Sequence, residues 1–182
     1  MTVIAAVPTV RFVLRWRRQA LPAAYARPWH RKAAHFAAFS PVMFWTLLRL
    51  RRRLERSGLP AAIQEAVSAR RHVRRHLAGL SHWDQRMRAC HEDDILCWWL
   101  LKLDVRALCL YRCLVMLDRM SRLPYLETLE FVIGAQRVDG GLDAHSWLVA
   151  NGHDFRQDPK DWAGLAVIYR SSINCRDAPQ PS

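Results

Sequence analysis

The sequence predicts an α+β fold, in which a basic helical region precedes a helix that carries a cysteine and packs on a small antiparallel sheet. Three observations predict it. Helical patterning dominates to about residue 100, short apolar β-forming runs begin only after Pro124, and Asn151-Gly152 separates two extended runs. With 182 residues, 51% of them hydrophobic, and eight Trp, the chain can bury one real core, which excludes disordered and repeat-like classes.

The elements follow in order. Val3 to Val10 is apolar and precedes Arg11, Arg15, Arg17 and Arg18, the reverse of the charge order of a secretory signal. Phe12, Leu14 and Trp16 among these arginines continue the helical pattern. Ala33 to Leu48 is apolar for 16 residues but contains His35, Ser40 and Pro41, so it falls short of a membrane span and fits a core helix pair or a membrane-surface segment. Ser40 as N-cap and Pro41 as first helical residue predict a helix start there. That helix covers Val42 to Glu55, Gly58 ends it, Pro60 opens another over Ala61 to His76, and Gly79 closes the pair. Asp93 to Met120 is long for one helix, and a break at Leu103 with Asp104 as cap places Cys109 early in the second piece. Leu129 to Ile133 reads as a strand ended by Gly134. A loop from Arg137 to Asp143 leads to the alternating His145, Trp147 and Val149, and Leu165 to Tyr169 is the last strand. The expected divisions are a basic helical region 1–88, a second domain 89–176 and a polar tail 177–182.

Charge is lopsided. Residues 1–88 hold 18 Lys+Arg against three acids, whereas residues 89–182 hold 10 against 13. A basic front half suits nucleic acid, an anionic membrane surface or an acidic peptide, or is a set of solvated helix faces. Arg49, Arg51, Arg52 and Arg53, with Arg70, Arg71, Arg74 and Arg75, lack the aromatic-interleaved strand or motif of a nucleic-acid binder, so nucleic acid is not the expected partner. Arg70/Arg74 and Arg71/Arg75 are each four apart, which favours an acidic peptide or a membrane surface.

Five cysteines, Cys90, Cys97, Cys109, Cys113 and Cys175, do not make a disulfide framework, and a reducing cytoplasm is expected, with the protein peripheral to the membrane where its basic helices touch it. Cys90-His91-Glu92-Asp93-Asp94 and Cys97 gather possible metal ligands without Cys-x-x-Cys or His-x-x-x-His spacing, so no metal or other cofactor is expected. The acidic run is read as charge near the N-terminus of the helix carrying Ile95, Leu96, Trp98 and Trp99.

The Asn151-Gly152 turn sets a register. If these are the two turn residues, Ala150 pairs with His153, and the same ladder continued brings Asp158 opposite His145 while Asp154 falls opposite Val149. The register therefore selects Asp158 as the carboxylate for that imidazole. A thiolate nucleophile is favoured by a helix N-terminus and a neighbouring imidazolium, both open to Cys109. Composition alone does not separate Cys109 from Cys113 one turn on, since a cysteine in an apolar helix is more often packing than catalysis.

The residues already named carry a resemblance. Cys109-Leu110-Tyr111-Arg112-Cys113-Leu114 resembles the pattern Cys-Leu-x-Arg-Ser-Leu, and Phe131-Val132-Ile133-Gly134-Ala135-Gln136 resembles Leu-Val-Ile-Gly-Val. Asp143-Ala144-His145-Ser146-Trp147-Leu148 resembles Ala-His-Ala-Trp-Val, Gln157-Asp158 stands for Asn-Asp, and Tyr169 to Ile173 resembles Tyr-Thr-Pro-Ile. These motifs, in this order over residues 105 to 173, are those of the leader peptidases of lasso-peptide maturation, the microcin-processing type, relatives of the transglutaminase-like and papain-like cysteine peptidases. The resemblance implies a Cys109, His145 and Asp158 triad that hydrolyses the leader from a ribosomally made precursor, before a partner ATP-dependent cyclase closes the macrolactam. It also implies a separate leader-recognition protein, because the front half has no β-rich stretch like the winged-helix module of fused versions. Two departures stand out: Cys113 replaces Ser, and the loop before His145 is longer and lacks Pro-Phe. Acyl transfer to an amine is a chemical variant on the same triad. A non-catalytic basic adaptor that retains the fold is the reading of a different class.

Overall fold

The computed structural model describes residues 29–68, 79–103, 108–138, 141–156 and 162–175. Among them run α1 (Trp29–Ser68), α2 (His82–Lys102) and α3 (Leu108–Met120), followed by β1 (Thr128–Val138), β2 (Gly141–Ala150), β3 (His153–Asp154) and β4 (Ala166–Asn174). The strands form one antiparallel sheet in the order β3-β2-β1-β4. The fold is α+β.

Helix α1 does not start at Ser40 but runs through it and Pro41. A proline inside a helix costs roughly 3 kcal/mol, so tertiary contacts must outweigh it. They are visible on both sides of the proline. Phe36 meets Trp98 edge-on at 5.0 Å, Phe44 packs 4.7 Å from Trp99, and the Ser40 hydroxyl, which would have capped a helix, accepts the Trp99 indole N–H at 2.8 Å. The break expected at Gly58 is present: its φ of 78° and ψ of 179° lie outside the helical region and divide α1 into two helical segments, with Pro60 in the first turn of the second. Ser81 caps α2, accepting the Asp84 N–H at 3.1 Å.

Met43, Leu47, Leu50, Ile63 and Ala66 of α1 enter the same hydrophobic core as Leu96 of α2, Leu114 and Leu117 of α3, and Leu129, Phe131 and Leu148 of the sheet. The boundary expected between residues 88 and 89 falls inside α2, and this core draws on residues from both sides of it.

Acidic residues expected near a helix start instead occupy the middle of α2, where they meet arginines from elsewhere. Glu92 holds Arg119 through two bonds of 2.7 and 3.0 Å, and Asp93 holds Arg112 through two of 2.7 Å. Asp94 takes Arg156 at 2.7 Å. Burying a carboxylate without a partner costs several kcal/mol, so these pairs dictate how α3 and the end of the β2–β3 hairpin sit on α2. Burial works against the Arg112 charge, but Asp93 more than offsets it and raises the guanidinium pKa further.

The loop expected from Arg137 to Asp143 is largely strand, since Arg137 pairs with Leu142 and Val138 with Gly141. Strand β4 runs past the expected Tyr169 to Asn174. Its second half, Ser171–Asn174, carries too few apolar residues to announce a strand, but β4 is an edge whose pairing with β1 supplies the backbone partners.

Candidate active site

Cys109 lies in the first described turn of α3, and α2 ends at Lys102, after which Leu103 N–H bonds the Trp99 carbonyl at 2.9 Å. Asp104, expected as the cap of α3, lies outside the described residues. The first N–H groups of a helix have no partner within it and carry the positive end of its dipole, so a sulfur placed there is favoured as thiolate. Leu110, Cys113, Leu114 and Leu117 bury one side of α3, and the Arg112 and Arg119 pairs fix the other. Cys109 therefore stands on a helix that cannot easily rotate.

His145 lies in the middle of β2, opposite Gly134 of β1. Its imidazole and the Ser146 backbone are the groups that favour the Cys109 thiolate. Cys109 is 5% exposed. Burial disfavours its thiolate, but the hydrogen bond and charge of His145, together with Ser146, outweigh burial and hold the thiol pKa below its ordinary value. Cys113 sits in the opposite electrostatic setting. Its S–H donates to the Ser146 carbonyl at 3.2 Å, and burial first, then the nearby Cys109 charge, push its pKa up to about 12. The structure brings Cys109, not Cys113, to His145.

Aromatic stacking holds the histidine from behind. Trp147 lies 6.2 Å from the His145 ring at 15° and 5.7 Å from Trp162 at 10°, so three rings stack in a row. Gly134 makes this possible, because a Cβ there would come 2.8 Å from Leu165 Cβ and 3.0 Å from the Trp147 ring. A register shift between β1 and β4 falls at Ile133 and Gly134, directly beside His145.

Asp158 lies outside the described residues. The expected ladder is observed at Ala150 with His153 and Val149 with Asp154, and Phe155 N–H still bonds the Leu148 carbonyl at 2.8 Å. The strand β3 itself covers His153–Asp154. Arg156 turns to a φ of 51°, where its guanidinium bonds the Cys90 carbonyl at 2.8 Å as well as Asp94. The pull of α2 on this side chain ends β3 at Asp154.

Three contributors escaped sequence reasoning. Ser146 was seen only as a neighbour of the histidine, yet its N–H and carbonyl address both thiols. Trp162 gave no signal, since its stacking depends on where the segment before β4 folds back. Arg112 was part of a motif, but nothing local revealed Asp93 as its partner. Among the described residues no group of three or more His, Cys, Asp or Glu is placed to hold a metal ion, and no helix is long and apolar enough to cross a membrane. Arg49, Arg51, Arg52 and Arg53 lie on α1, whereas Arg70, Arg71, Arg74 and Arg75 are outside the described residues. Compared with protein-family models, with curated proteins and with solved structures, the chain matches none.

Proposed function

We propose that this chain is a cysteine peptidase that removes the leader from a ribosomally made precursor, of the kind that matures lasso peptides. The observation that carries the reading is the placement of His145 on β2 beside Cys109 of α3, where the imidazole holds the thiol pKa below its ordinary value. A cysteine helix packed on an antiparallel sheet that supplies the histidine is also the plan of transglutaminase-like and papain-like enzymes, which the sequence motifs resemble.

In this reading the Cys109 thiolate attacks the carbonyl carbon of the scissile peptide bond. Free N–H groups in the first turn of α3 receive the developing oxyanion, the C–N bond breaks, and His145 gives its proton to the departing amine. Water then attacks the thioester as His145 takes its proton, releasing the leader's carboxylate and restoring the thiol. Asp158 orients the imidazole by resemblance to the family. The product passes to an ATP-dependent cyclase, and a separate recognition protein presents the leader.

Cleavage of the precursor, assayed with the candidate recognition protein present, tests this. Cys109→Ala is expected to lose at least about 10³-fold in rate, and Asp158→Asn a comparable amount, while Cys113→Ala stays within a few-fold of wild type. Activity that survives Cys109→Ala would sink the triad. A precursor left uncut by every form would favour the non-catalytic adaptor.

A further inference from the structure

One face of α1 forms a groove of about 730 Å³ that lies apart from Cys109 and His145. Val42, Trp45, Arg49, Arg52, Arg53 and Arg56 line it, and the spacing of three and four residues from Val42 to Arg56 keeps them on one side of the helix. They extend over roughly 20 Å of helix at about 1.5 Å per residue. The two ends of the groove differ. Val42 is 42% and Trp45 65% exposed at the apolar end. At the other end Arg49 and Arg53 are neutralised by Glu65, and Arg49 also by Asp118, whereas among the described residues Arg52 and Arg56 make no ion pair. The groove thus has an apolar floor and, beyond it, uncompensated positive charge.

We propose that this groove docks an extended acidic peptide segment, with an apolar side chain against Trp45 and Val42 and carboxylates on Arg52 and Arg56. Charge complementarity calls for an acidic occupant, and residues 1–28 and 69–78, which flank α1 in the sequence, contain arginines and no acid. A lipid surface fits less well. A helix that lies on a membrane sets its charges on the face opposite its apolar one, whereas here tryptophan and arginines share one face end to end and line a concavity. A linear ligand with apolar and acidic ends matches that order. The inference does not depend on the peptidase reading.

Fluorescence anisotropy with a short fluorescein-labelled peptide, leucines at one end and glutamates at the other, tests it on the full-length protein. Wild type is expected to bind this probe, with affinity falling as salt rises, and to ignore the same peptide with lysines for glutamates. Arg52→Glu together with Arg56→Glu is expected to weaken binding at least about tenfold. Trp45→Ala weakens it too, whereas Trp83→Ala, at a residue 64% exposed outside the groove, does not. Both arginines and both tryptophans are exposed, and an unchanged melting temperature confirms folded variants. Absence of probe binding, or binding indifferent to the double charge reversal, overturns the proposal. So does association of the protein with vesicles of phosphatidylcholine and phosphatidylglycerol through Arg52 and Arg56 without probe binding, which assigns the face to a membrane.

Discussion

At the scale of the residue, the two thiols on α3 differ by what surrounds them and not by what they are. Cys109 has the His145 imidazole and the Ser146 backbone to favour its thiolate, whereas Cys113 spends its S–H on a carbonyl in a buried site. The reactive form is the thiolate, so alkylation should follow its fraction. Because the Cys109 pKa is lowered, its reaction with iodoacetamide should rise with pH through a midpoint below that of an ordinary cysteine, and flatten above it. His145→Ala removes the main opponent of burial, so the midpoint should move to higher pH. Cys97 and Cys113, both pushed up to about 12, should stay unmodified in the folded protein across the neutral range. Peptide mapping by mass spectrometry after timed labelling reads all three, and a Cys109 midpoint unmoved by His145→Ala would refute the pairing. Helical patterning alone could not have drawn this distinction, which in the sequence rests on the resemblance of Cys109 to Leu114 to a Cys-Leu-x-Arg motif, since residues one helical turn apart share the same local pattern. What separates them is their position relative to Ser146, which is fixed by packing between a helix and a strand far away in the chain.

Elements were legible where local chemistry decides them. Asn151-Gly152 set the hairpin because positive φ is needed at both positions, and Asn151 at 49° and Gly152 at 79° supply it. Gly58 likewise broke its helix. Ser40 failed as a helix start because its side chain is engaged by a distant partner, Trp99, and Arg156, the residue at the end of the described hairpin, is likewise held by α2. The β1–β2 pair depends on Gly134 in a way that can be tested. Leu165 Cβ is fixed directly to its backbone and cannot swing aside by a rotamer change, and Trp147 is pinned between two rings, so Gly134→Ala must displace a strand or the stack. Overpacking of this kind costs about 1–3 kcal/mol. Because the displaced ring is the one stacked on His145, Gly134→Ala should lower both the melting temperature and the alkylation rate of Cys109. Ala135→Gly, one residue along the same strand, should affect stability only. Equal effects of the two on alkylation would dissociate the stack from the site.

For the whole molecule the question is whether the basic helical region is an appendage or part of the body that carries Cys109 and His145. Met43, Leu47, Leu50 and Ile63 of α1 are at most 5% exposed, and each such side chain stabilises by about 2 kcal/mol when fully buried. Together they amount to roughly 8 kcal/mol, comparable with the ~5–15 kcal/mol net stability of a typical domain. Electrostatics points the same way. Asp118 is fully buried on α3 and is held by Arg49 of α1 at 2.6 Å as well as by Arg122 at 2.9 Å, so removal of α1 would leave a buried carboxylate with half its partners. A fragment of residues 79–182, which keeps the Ser81 cap, all of α2 and every residue of the candidate triad, should therefore show no cooperative thermal transition and should bind a hydrophobic dye. The full-length chain should melt in a single transition by both calorimetry and far-ultraviolet dichroism. If the fragment melted cooperatively near the temperature of the full chain, the helical region would be a separate module and the shared core a minor contact. The predicted outcome, in contrast, makes α1 part of the scaffold on which Cys109 meets His145, so that a peptide seated on its outer face touches the same folded unit that carries the thiol.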